Sequence, residues 1–180
     1  MPPTREYPWY DIVSGPDLAQ GDIITNCPVL SPLAPDDLAD LETPESGVRA
    51  DVFTHDMVVI TQSCDLESQK IDSVVLCPVW TLAEMERVDP KFSRPVEREK
   101  IRKGEYFAYH MLNEFAALGR PVSVVDFHRL YTSPKPLLAA ISENRGDRAR
   151  LLPPYREHLA QAFARYFMRV GLPVGVPRFQ

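Results

Sequence analysis

A chain of 180 residues with a 44% hydrophobic fraction is of ordinary single-domain size and long enough to bury a sizeable core. Its net charge of −5 argues against a general polyanion-binding surface, while leaving room for a local basic patch. No apolar run reaches the roughly 20 residues that span a bilayer, and the opening Met-Pro-Pro-Thr-Arg-Glu lacks a signal-peptide pattern, so a cytoplasmic protein is expected.

Eighteen prolines, about twice the usual share of roughly 5%, favour short strands, turns and loops over long helices. Three cysteines without a close pair do not form a disulfide framework. Cys27 and Cys77 each stand in Cys-Pro-Val on an apolar segment, where buried, inert thiols are expected.

In chain order, Gly21 offers a turn, and the β-branched stretch from Asp22 to Leu30 reads as the first strand. Residues 31–51 are acidic and punctuated by proline, and read as an exposed loop. Met57 to Gln62 and Ser73 to Val79 are near-continuous apolar runs, the pattern of central strands covered on both sides. Residues 86–105 carry seven basic and five acidic side chains and read as a helix or long surface excursion. Tyr106 to Leu112 and Pro121 to His128 complete a set of five strands.

The clearest element spans 154–170. Tyr155, Leu159, Ala162, Phe163, Tyr166, Phe167 and Val170 recur every three or four residues, giving an amphipathic helix with one apolar face. Pro153 and Pro154 suit its start, Gly171 and Pro173 its end. The expected fold is therefore α+β and mainly β: residues 1–180 form one domain, a small, partly open barrel closed by a C-terminal helix.

Gly21-Asp22-Ile23, then Met57-Val-Val-Ile60, then Val75-Leu-Cys-Pro-Val79 resemble the first three strands of the SH3-like barrels of the PemK/MazF toxin family. The resemblance covers about the first half of the chain plus the terminal helix. It implies a place in a bacterial toxin or defence system and, in catalytic members, an arginine ahead of the second strand and a hydroxyl after the third. Thr81 stands about one position late for that hydroxyl. The stretch from Thr54 to Met57 holds no arginine, and Arg49 lies several residues upstream. Metal-free RNA cleavage needs a general base and a cation to stabilise a developing phosphorane. His55 can do the acid–base work, which leaves the cation unassigned.

Thr61-Gln-Ser-Cys-Asp-Leu66 ends an apolar strand in polar and reactive residues. Cys64 becomes a nucleophile if His110 or His128 lies beside it, with Asp65 or Asp126 orienting the imidazole. The same groups offer a Cys/Asp/His ligand set, and the simplest alternative is a turn with Cys64 packed as a small hydrophobe. Asp126 and His128, two apart on a strand, face the same way. His110 fits a hydrogen-bonded core residue and His158 a surface one.

Lys100, Arg102 and Lys103, followed by Tyr106 and Phe107, pair phosphate-binding cations with stacking rings; Glu97, Glu99 and Glu105 dilute that field. Arg145, Arg148 and Arg150 form a second small basic cluster, read as a loop. No phosphate loop, dinucleotide fingerprint or zinc-finger spacing is visible, so no cofactor or metal is expected. The functional expectation is a binding or regulatory module for a protein or RNA partner, with self-association open. A divergent endoribonuclease and a Cys64 hydrolase or metal enzyme are the alternatives.

Overall fold

The organising element is a nine-residue strand that bends between two pairings. In the computed structural model, which describes residues 7–30, 51–68 and 71–168, strand β4 (Ser73–Thr81) has β3 (Val52–Val59) along one edge. Its other edge takes β7 (Tyr131–Pro134) beside Ser73–Leu76 and β6 (Ser123–Asp126) beside Val79–Thr81. Between Val79↔Val125 and Leu76↔Tyr131, two residues of β4 oppose the five from Asp126 to Leu130. The surplus loops out around His128, which is why the predicted strand from Pro121 to His128 is observed as a shorter β6 followed by a turn.

The remaining strands extend this frame. β2 (Asp22–Leu30) pairs with β3, β8 (Arg148–Leu151) with β2, β1 (Tyr10–Val13) with β8, and β5 (Tyr109–Leu112) with β6. All pairings are antiparallel, giving an eight-stranded sheet in the order β1-β8-β2-β3-β4-β6-β5, with β7 on β4. The fold is thus α+β and mainly β, with an open ladder among the described residues. Side chains span the gap between its edges: the Tyr10 hydroxyl on β1 donates to the Asn113 carbonyl just past β5, at 2.8 Å, and the Tyr10 and Phe115 rings lie 5.0 Å apart.

Among the described residues five α-helices accompany the sheet: α1 (Ser63–Glu67), α2 (Leu82–Val88), α3 (Pro95–Arg102), α4 (Lys135–Arg145) and α5 (Tyr155–Phe167). The charged 86–105 segment is therefore largely helical, with a 3₁₀ turn at Pro90–Ser93 between α2 and α3. None of the helices is long and apolar enough to cross a membrane. The expected acidic loop at 31–51 lies, but for Asp51, outside the described residues.

Apolar side chains divide by strand parity into clusters on either side of the sheet. Ile23, Val58, Cys77, Val79, Val125 and Ala149 line one side, where Leu159 of α5 is fully buried and Phe163 and Tyr166 pack against the cluster. Met57, Val59, Val74 and Leu76 face the other way, against Leu66 of α1 and Leu138 of α4. Val124 points with Trp80 toward a third cluster around Met85 of α2, Phe92 and Ile101 of α3. Of the two apolar runs expected as central strands, residues 57–59 and 74–79 lie within β3 and β4 with side chains buried on both faces. The first strand ends at Val59, however, so Thr61 and Gln62 fall outside it and Gln62 is exposed. Phe167, assigned by its spacing to the apolar face of α5, is instead about half exposed. Cys27 and Cys77 are buried, and burial pushes their thiols up to about 11 and about 12.

β2 departs from strict alternation. Ile24↔Met57 is followed by Cys27↔His55, so β2 holds one residue more than β3, and Asn26 has φ 50°. This bulge transfers Cys27 and Val29 to the face of Ile24. It also turns Thr25 and Asn26 toward the rim.

A buried ionic network ties β8 to β2. Asp22 is 0% exposed; its Oδ2 accepts from Arg148 Nε at 2.9 Å, Arg150 Nη2 at 2.8 Å and the Ala19 N–H at 3.1 Å. Arg150 Nε donates to Oδ1, and the guanidinium of Arg148 reaches the carbonyls of Gly15 and Asp17. Arg148 and Arg150 are thus not the loop cluster that sequence suggested; they are interior partners of one carboxylate. Removing that carboxylate strands buried guanidinium charge, so Asp22→Ala should lower unfolding free energy by about 3–5 kcal/mol. A urea midpoint unchanged from wild type would show that the network contributes nothing net.

Candidate functional sites

Two clefts of opposite character gather most of the residues singled out by sequence. The first, about 430 Å³, opens where the β2 bulge meets β3 and the turn before β6, and contains His55, Thr81, Asp56, Glu84, Arg120 and Asp147. His55 rests on Trp80, with ring centres 4.1 Å apart, and its Nε2 is buried without a hydrogen-bond partner among the described residues. Burial holds the His55 pKa below the ordinary imidazole value, against the opposing pull of Glu84 and Asp56, so the ring is neutral at pH 7.

Thr81 caps α2. Its Oγ1 accepts from the Glu84 N–H at 3.2 Å and donates to Glu84 Oε2 at 2.8 Å, and its own N–H donates to the same oxygen at 2.8 Å. Burial works to raise the Glu84 pKa, but these bonds and the nearby His55 and Arg87 keep it below the usual carboxylate value.

Arg120 arrives from a part of the sequence that gave no signal. Phe115 and Arg120 exchange both backbone bonds, at 2.8 and 3.0 Å, around the 3₁₀ turn Ala116–Leu118, and Gly119 in the left-handed region closes the turn. The guanidinium so held lies 3.1 Å from Asp56 Oδ2, while Asp56 Oδ1 accepts from the Asn26 N–H at 2.8 Å. The cation missing beside His55 in sequence is thus present in space. A long chain separation hid it, and only the fixed turn geometry, marked by Gly119, hinted at a constrained site.

Cys64 and Asp65 lie elsewhere, on the five-residue α1. Ser63 Oγ accepts from the Gln20 N–H at 3.1 Å, and Leu66 anchors the turn in the core. Cys64 is exposed, its sulfur 3.6 Å from Gln62 Oε1 and 4.0 Å from Asp65 Oδ1. His110 and His128, the expected partners, engage other surroundings. His128 Nδ1 sits 2.7 Å from Asp126 Oδ1, so the two residues do meet, but with His128 in the turn after β6 and not two apart on one strand. Among the described residues no three His, Cys, Asp or Glu side chains stand together to hold a metal ion.

The second cleft, about 630 Å³, lies between β5, α3 and α5 and is lined by Arg102, Lys103, His110, His158 and Arg165 beside Trp9 and Tyr155. Trp9 and Tyr155 stack at 3.7 Å and 10°. Arg102 is paired with Glu99 through Nε and Nη2, at 2.7 and 2.6 Å, and Lys103 Nζ lies 3.6 Å from the same carboxylate. The bonds from Arg102 push Glu99 down to about 2. Lys100 and Tyr106 both turn to Glu97 instead, Lys100 at 3.0 Å, and stand off this cleft. The four nucleic-acid candidates thus divide: two face the cleft and two are tied to a carboxylate behind it.

His110 forms part of the cleft floor. Burial, helped by the neighbouring His158, pushes its pKa from 6.5 down to about 4, and its Nε2 has no hydrogen-bond partner among the described residues. Between those two pH values the unfolded chain binds the proton and the folded chain does not. The stability is full above about pH 6.5 and falls as the pH drops toward 4, by about 3 kcal/mol from this residue. Urea unfolding at pH 7 and pH 4.5 should therefore show a smaller acid loss in His110→Gln than in wild type. Equal losses would place the imidazole in contact with water.

No protein-family model and no curated protein matches this chain.

Proposed function

We propose that this chain is a PemK/MazF-like, SH3-type barrel that acts as a binding or regulatory module in a bacterial toxin or defence system, engaging a basic segment of a protein partner at the His55 cleft. One observation carries the reading: the cleft's carboxylates outnumber its available cations. Asp56, Glu84 and Asp147 line it against Arg120 and Arg148, and those two guanidiniums are already committed to Asp56 and Asp22. Asp147 is exposed and makes no ion pair with a described residue. An arginine or lysine of a partner finds complementary charge there, and the His55–Trp80 pair supplies an aromatic wall. The barrel reading is supported by the apolar order of β2, β3 and β4 and by the Tyr10–Asn113 bridge across the open edge.

A divergent endoribonuclease is the second reading, favoured by the convergence of His55, Thr81 and Arg120. A neutral His55 is ready to accept a proton, and Arg120 stands where a cation is required. Against it, Thr81 is occupied as a helix cap and Arg120 is neutralised by Asp56.

Fluorescence anisotropy with a labelled arginine-rich peptide and a labelled single-stranded RNA, in EDTA, separates the two. The module reading expects salt-sensitive peptide binding, weakened about tenfold, or about 1.4 kcal/mol, by Asp147→Asn with Glu84→Gln, and intact RNA. RNA cleavage that disappears in both His55→Ala and Arg120→Ala would replace the module reading with the enzyme.

A further inference from the structure

We propose that the cleft between β5, α3 and α5 is a binding site for a nucleoside monophosphate group, its base held against the Trp9 side and its phosphate on the Arg102–Lys103–Arg165 rim. The inference is independent of the His55 cleft. Its volume, about 630 Å³, falls in the range of small-ligand sites.

Three features of the lining select that chemistry. Among the described residues no carboxylate lines the cleft, whereas Arg102, Lys103 and Arg165 do, and one carboxylate, Glu99, is shared between Arg102 and Lys103. Arg165 makes no ion pair with a described residue and projects from an exposed position on α5. The rim therefore keeps an unneutralised positive charge suited to a phosphate dianion.

Ile101, Met111, Leu112, Val122 and Ala162 make the interior apolar, and the stacked Trp9 and Tyr155 rings both line it. A planar heterocycle gains stacking and burial there, where inorganic phosphate alone gains neither. His110 lines the cleft as well, with its Nε2 turned out of reach of solvent. The depressed His110 pKa keeps that ring neutral, so it adds no second charge beside the base.

The same chemistry is offered by a free nucleotide and by the phosphorylated 5′ end of an RNA strand. Isothermal titration calorimetry of the full chain with adenosine, guanosine, cytidine and uridine 5′-monophosphates, the parent nucleosides and inorganic phosphate tests the site. At least one monophosphate should bind saturably, about tenfold or more tighter than its nucleoside and than phosphate. Arg165→Ala combined with Lys103→Ala, both exposed, one on α5 and one just past α3, should weaken the monophosphate by about tenfold or more and leave the nucleoside unchanged. A 5′-phosphorylated tetraribonucleotide that binds as tightly as the free monophosphate identifies strand ends as the source; its exclusion identifies the free nucleotide. The proposal is overturned by absence of saturable binding up to about 10 mM, by unaltered affinity in the double variant, or by phosphate binding as tightly as the nucleotides.

Discussion

The buried carboxylate of Asp22 is the constraint on which the sheet's far half depends. A carboxylate with 0% exposure is costly to desolvate, and it is tolerated here because two guanidiniums and a backbone N–H surround it. Those guanidiniums both come from β8, whose pairing with β2 amounts to Asp22↔Arg150 and Ile23↔Ala149. With so short a ladder, the ion network fixes the register of β8. That register then fixes β1, which pairs along β8 from Tyr10↔Leu151 to Val13↔Arg148. Tyr10 in turn reaches Asn113 across the opening. Gly21 belongs to the same joint: at φ 85°, a Cβ there would meet Leu151 Cβ at 2.8 Å.

This chain of dependence explains what sequence made legible and what it did not. β2, β3, β4 and α5 announce themselves because each buries a run or stripe of apolar side chains, and burial leaves a periodic trace. β8 reads Arg-Ala-Arg-Leu and looks like solvent-facing chain, since nothing local reveals that its arginines meet an aspartate more than a hundred residues earlier. β1 and β7 are four residues each, too short for alternation to register. The helix α4 keeps Leu138 buried but leaves Leu137 about half exposed, which blurs its stripe. The β2 bulge is likewise invisible in composition, though Asn26, a residue tolerant of positive φ, occupies it.

The candidate sites follow the same logic. His55 and Thr81 were identifiable as single residues, one by its chemistry and one by resemblance, and the sheet does bring them to one cleft. Arg120 was not, because its position is set by a turn rather than by a pattern. Cys64 stood out through the reactivity of its neighbours, yet reactivity in sequence is no measure of company in space: its sulfur faces Gln62 and Asp65. Arg102 and Lys103 were legible as a basic run, but the partners that make them a cleft, Arg165, His110 and Trp9, come from three other segments.

Net charge illustrates why composition constrains function only weakly at this scale. Fixed charges are screened over about 8 Å at physiological ionic strength, so a ligand responds to the few groups lining its own cleft. A total of −5 is compatible with an acidic cleft at His55 and a cationic one at Arg165, each presenting its own local field. On β6, Val125 faces the core beneath α5 while Val124 faces the cluster under α2 and α3. On β4, Thr81 both lines the first cleft and caps α2. A change at Thr81 therefore acts on the cleft and on helix stability together, and only variants that keep the capping bond separate the two effects.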